Sequence, residues 1–112
     1  MASYRQDRLT EDVKRELTDI MRSLKDPRIK GLLSIVRVEL SRDLSWCKVF
    51  VSSMEGMEST KSSVKGLESA QGYIKHEISQ RLDMRKVPQF KFIADDSIEH
   101  SAIINEKLKN LL

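Results

Sequence analysis

Between Lys61 and Met84 the chain carries a long helical pattern set between two runs of strand-like alternation, and this arrangement limits how it can fold. Val64, Leu67, Ala70, Ile74, Ile78 and Leu82 recur at the three- and four-residue spacing of a helix with one apolar side. Upstream, Trp46-Cys47-Lys48-Val49-Phe50-Val51-Ser52 alternates and puts Cys47, Val49 and Val51 on one face. Downstream, Gln89 to Asp95 alternates with Phe90 and Phe92 on one face. Two strands separated by such a helix are most simply joined by a parallel crossover.

Gly66 and Gly72 lie inside the helical stretch. Each costs about 1 kcal/mol relative to alanine in a helix interior, so together they predict a kink or a close approach. Arg85-Lys86-Val87-Pro88 ends it. Before the first strand, Leu9, Val13, Leu17, Ile20, Met21 and Leu24 form the apolar stripe of a helix over Arg5 to Leu24, stopped at Lys25-Asp26-Pro27-Arg28. Gly31 to Leu40 reads as a strand that alternates over Val36-Arg37-Val38-Glu39-Leu40. The polar run Ser41 to Ser45 joins it to the next strand as an antiparallel hairpin, in which Trp46 begins an edge-like strand. Met54 to Thr60 reads as a loop. Asp96 and Glu99 have capping-box spacing, and Ile103, Ile104, Leu108 and Leu111 predict a last helix to Leu112. The fold class is α+β: a three-stranded mixed sheet with helices on one face, in a single domain over residues 1–112.

Charge is unevenly spread. The net of +3 comes from positive blocks at residues 1–30 and 61–91, while residues 92–112 are acidic. This asymmetry suits a polyanionic partner on one face. One cysteine, Cys47, allows no internal disulfide and fits a reducing compartment. No stretch has the length of a signal peptide or a membrane span, so a cytoplasmic protein is expected, without membrane contact. His76 and His100 are the only histidines, and no P-loop or dinucleotide glycine pattern occurs. Asp95-Asp96 as a Mg²⁺ site for a nuclease competes with a simpler account, in which Asp95 ends a strand and Asp96 caps a helix. No enzyme activity and no cofactor are expected.

Several strings carry a resemblance. Lys25-Asp26-Pro27-Arg28 precedes a strand. Val36, Glu39, Leu40, Ser41 and Asp43 lead into Cys47-Lys48-Val49-Phe50-Val51-Ser52. Ala70-Gln71-Gly72 sits inside the long helical stretch, followed by Leu82, Arg85, Pro88, Phe92 and Asp95. In order and spacing they resemble the ribosome-binding factor A family over almost the whole chain. The resemblance implies a type II KH-like domain in which a helix kink of pattern Ala-x-Gly, here Ala70, Gln71 and Gly72, replaces the Gly-x-x-Gly loop of ordinary KH domains. This chain contains no Gly-x-x-Gly. It also implies a cold-associated factor that binds immature small (30S) ribosomal subunits and supports late maturation and 5′-end processing of 16S ribosomal RNA. Such a factor would be a monomer when free. The alternative is a general single-stranded RNA-binding module of KH type.

The residues expected to contact RNA are cations able to neutralise phosphates. Lys61, Lys65, Lys75, His76, Arg81, Arg85, Lys86 and Lys91 come from the third block. Arg28 and Lys30 come from a loop where no partner is near in sequence. Arg5, Arg8, Arg15, Arg22 and Lys25 rank lower, because Asp12 and Asp19 are spaced to pair with the helix arginines. Tyr4, Trp46 and Tyr73 are the aromatics that could stack on bases.

Overall fold

The computed structural model describes residues 4–29 and 33–96. Lys30, the side chain of Tyr4 and the expected C-terminal helix lie outside the described residues. Helix α1 runs Tyr4–Ser23, strands β1 and β2 run Leu33–Leu40 and Trp46–Ser53, helices α2 and α3 run Met57–Ser69 and Gln71–Leu82, and β3 runs Gln89–Ala94. The sheet order is β1-β2-β3, with β1 antiparallel and β3 parallel to β2. The hairpin and the parallel crossover therefore both form. β2, however, is the central strand, because the crossover lays β3 along its free side; Trp46 does not begin an edge.

The helices cover one face of this sheet. Val13, Leu17, Ile20 and Met21 of α1, Leu67 of α2, and Ile74 and Ile78 of α3 are buried against Val38, Cys47, Val49, Val51, Phe90 and Phe92. Phe90 and Phe92 stack with ring centres 6.3 Å apart. The alternation expected to run unbroken from Val36 does not. Ile35 faces Val51 and Arg37 faces Phe50, so Val36 is the extra residue of a β-bulge. The bulge reverses which parity points inward: Leu33 and Ile35 pack on the core before it, Val38 and Leu40 after it.

Helix α2 starts earlier than expected, within the segment read as a loop. Gly56 takes φ 108°, a conformation that disfavours side chains, and lets the chain turn straight from β2 into the helix. Thr60 fixes this junction: its Oγ1 donates to the Gly56 carbonyl at 3.0 Å and accepts from the Ser53 N–H at 3.0 Å. The long helical stretch is two helices, broken at Ala70 (φ −90°, ψ 9°), whose N–H is shared between the Gly66 and Leu67 carbonyls. No helix among the described residues is long and apolar enough to cross a membrane.

Candidate nucleic-acid interface

The two glycines of the helical stretch do different work. A Cβ on Gly66 would lie 2.8 Å from Ile29 Cγ1 and 3.3 Å from the Asp26 carboxyl carbon, so this is where backbone approaches a neighbour closely. Gly72 has nothing within 4 Å of that position. The expected kink and close approach both occur but are divided: Gly66 permits the close approach, and Gly72 stands open to solvent at the start of α3, just after the break. Between the two, Gln71 turns its side chain onto β3. Its Nε2 donates to the Phe90 carbonyl at 2.8 Å and its Oε1 accepts from the Phe90 N–H at 3.0 Å. Glu68 Oε1 accepts from the Phe92 N–H at 3.2 Å.

The expected cations separate into three groups. Two of them are held by carboxylates. Arg28 is not free: Asp26 binds its Nε at 3.0 Å and its Nη2 at 2.7 Å, and also accepts from its backbone N–H at 2.8 Å. The Arg28 side chain, then its N–H, hold the Asp26 carboxyl at about 2, below the usual carboxylate range. Arg81 reaches Asp19 at 2.6 Å, Glu16 at 3.4 Å and Glu77 at 3.5 Å, and so ties α3 to α1. Asp19 was expected to pair within its own helix; the packing of α3 across α1 brings Arg81 to it instead. Arg15 does pair with Asp12, at 3.2 Å.

A second group lies exposed on the helices. Lys61 and Lys65 share the outer side of α2 with Glu58 and Glu68, and His76 is exposed on α3. Arg85 is exposed in the turn before β3. Tyr73, about half exposed, places its hydroxyl 3.5 Å from Glu77.

The third group gathers where β2 and β3 begin. Lys91 stands beside Lys48 in the parallel register, and Trp46 beside Gln89. Lys75 Nζ donates to Gln89 Oε1 at 3.2 Å, and Lys86 Nζ to the Asp43 carbonyl at 3.0 Å. Asp43 organises the adjoining turn, accepting from the Ser45 hydroxyl at 2.7 Å, the Ser45 N–H at 3.1 Å and the Ser41 hydroxyl at 2.9 Å. These bonds, those from Ser45 foremost, hold its carboxyl at about 2. Lys48 and Arg37 were not among the expected contacts. Lys48 follows from the alternation that buries Cys47 and Val49, since the intervening position must face outward, and Arg37 faces outward because the bulge in β1 sets it opposite Phe50.

Cys47 is buried, and burial pushes its thiol up to about 12, far from the range of a reactive thiolate. Among the described residues no three His, Cys, Asp or Glu side chains are grouped to hold a metal ion.

The family model described as ribosome-binding factor A matches residues 5–108. A ribosome-binding factor A from Caldanaerobacter subterraneus subsp. tengcongensis is 45% identical over 109 residues, covering 96% of this chain and 89% of the relative. One from Caldicellulosiruptor saccharolyticus is 46% identical over 114 residues, covering 99% and 84%. Among solved structures, the solution structure of a putative ribosome binding factor A from Thermotoga maritima superposes with a TM-score of 0.75 at 31% identity, covering 88% of this chain and 94% of the other. A homology model of Thermus thermophilus ribosome binding factor A, fitted into a cryo-electron microscopy map of a complex with the 30S subunit, gives 0.65 at 29% identity, covering 77% and 90%.

Proposed function

The chain belongs to the ribosome-binding factor A family, and from that premise we propose that it binds the small (30S) ribosomal subunit during its late maturation, in the cytoplasm, and supports 5′-end processing of 16S ribosomal RNA without catalysing it. The observation that carries this reading is the match over residues 5–108, nearly the whole described fold, to a family whose Thermus thermophilus member has been placed on the 30S subunit. The surface supports it. Lys61, Lys65, His76, Arg85 and Lys91 are exposed and lie outside the carboxylate clusters that hold Arg28 and Arg81. The hydrogen bond of Lys75 goes to the neutral Gln89 amide, which leaves its charge available to phosphates, whereas Lys86, bonded to the Asp43 carbonyl, shares its charge with the nearby Asp43 carboxylate. Open space at Gly72 would let an RNA backbone come close to the first turn of α3, whose N–H groups have no side-chain cap.

Sedimentation of cell extract through a sucrose gradient tests the proposal. The protein should travel with small subunits, preferentially immature ones, and leave them as salt rises, because each phosphate contact releases counterions. Sedimentation only as free protein at low and moderate salt would overturn it.

A further inference from the structure

On β2, Trp46, Lys48 and Phe50 point away from the helices, between the buried Cys47, Val49 and Val51. Their register partners extend the same outer face: Gln89, Lys91 and Ile93 on β3, Glu39 and Arg37 on β1. Among the described residues no element covers it. Trp46 is 52% exposed and is the chain's only tryptophan. Beside it lies a shallow cavity of about 210 Å³, lined by Glu39, Leu40, Ser41, Trp46 and Lys48.

We propose that this face binds single-stranded RNA, with one unpaired base stacked on Trp46 at the cavity and the flanking phosphates held by Lys48 and Lys91. The inference rests on the small-subunit reading above and adds to it a second kind of contact, to a base rather than to phosphates. A large aromatic ring left exposed on an open sheet face is a stacking platform that any base can use. Phe50 is not the platform. The Arg37 guanidinium already covers its ring at 4.2 Å and also reaches Glu39 at 3.4 Å. Glu39 supplies an acceptor at the cavity. A base with an exocyclic amino group can donate to it through that group, whereas uracil has only its ring N3–H to offer. The charge chooses the occupant. With Arg37 and Glu39 paired to each other, Lys48 and Lys91 leave the face net positive, and both are lysines, which protein–protein interfaces avoid at their centre.

Trp46 reports on its own site. Its emission is followed while oligoadenylate, oligocytidylate, oligouridylate, a duplex RNA and purified immature small subunits are titrated into the full chain. The single strands should quench it, oligouridylate most weakly, and the duplex should not. Trp46→Ala should weaken co-sedimentation with small subunits roughly tenfold, and Trp46→Phe should restore most of that loss. Absence of quenching by every single strand, with Trp46→Ala co-sedimenting like the parent, would overturn the proposal and leave the small-subunit reading intact. An emission change with subunits but with no single strand would also overturn it, in favour of a protein partner. If the parent itself fails to co-sediment, the small-subunit reading falls, and oligonucleotide quenching alone decides the sheet face.

Discussion

The side-chain amide of Gln71 makes both hydrogen bonds to Phe90 that a neighbouring strand would make, donating to its carbonyl at 2.8 Å and accepting from its N–H at 3.0 Å. Among the described residues β3 is an edge strand, and an open edge invites pairing with other chains. Glu68 extends the cover to the Phe92 N–H. The helix break at Ala70 is what places residues 68 and 71, on either side of it, along that edge. Gln71→Ala should destabilise the fold by about 1–3 kcal/mol, since it leaves two part-buried backbone groups without partners. It should also raise the tendency to aggregate during refolding. Urea unfolding of the variant checks the first point and light scattering the second. A midpoint equal to the parent's would mean that water replaces the amide without loss.

Gly66 and Gly72 should respond in opposite ways to alanine. At Gly66 the new Cβ meets Ile29 Cγ1 at 2.8 Å, a branch atom near the backbone that cannot swing aside, so Gly66→Ala should lower the unfolding midpoint despite alanine's better helix propensity. Adding Ile29→Ala should cost less in the Gly66→Ala background than in the parent. At Gly72 the methyl meets nothing, so Gly72→Ala should leave stability unchanged or raise it by up to about 1 kcal/mol. If RNA backbone approaches the kink, the same variant should bind small subunits more weakly. Unchanged binding would remove the kink from the contact surface.

The order of elements was legible because each has a clear apolar period: the α1 stripe, Cys47-Val49-Val51, and Phe90-Phe92. The break at Ala70 was legible from its two flanking glycines, but not their division of labour. That depends on where Ile29 lies, and long-range packing sets it. The bulge at Val36 escaped for a related reason. Val, Ile and Leu fill β1 so densely that either parity could face inward, and only pairing with β2 selects one. The site was less legible than the fold. Arg28 looked free although Asp26 is two residues away, and Arg81 looked free because Asp19 lies far off in sequence. Trp46 was noticed, but its outward neighbours Lys48 and Phe50 were not, although the same alternation names all three.

Arg81 and Lys91 should separate stability from binding. Arg81→Gln removes the contacts to Glu16, Asp19 and Glu77 and should lower the thermal midpoint, because α1 and α3 are joined through it. It should leave the salt dependence of small-subunit binding unchanged. Lys91→Gln, at an exposed position without a carboxylate partner among the described residues, should leave the midpoint alone. It should reduce the slope of log affinity against log salt by about one contact's worth. The opposite pattern would make Arg81 an RNA contact and Lys91 part of a merely solvated face.

Asp26 and Asp43 set the behaviour in acid. Both carboxyls are held at about 2 in the folded chain, against 3.8 for an unperturbed aspartate, Asp26 by Arg28 and Asp43 by Ser45 and Ser41. A group whose pKa is depressed by folding stabilises the native state above its unfolded value, and this stabilisation is lost as the pH falls through the folded value. Between 3.8 and about 2 the unfolded chain therefore binds more protons than the folded one, and stability should fall as acid is added. The double variant Asp26→Asn/Asp43→Asn should be less stable near neutrality, since the ion pair and the turn acceptor are both weakened. Across the acid window its stability should fall less steeply than the parent's, because two of the carboxyls that take up protons on unfolding are gone. Urea midpoints measured through that window test this, and parallel curves for parent and variant would show that other carboxylates govern the acid response.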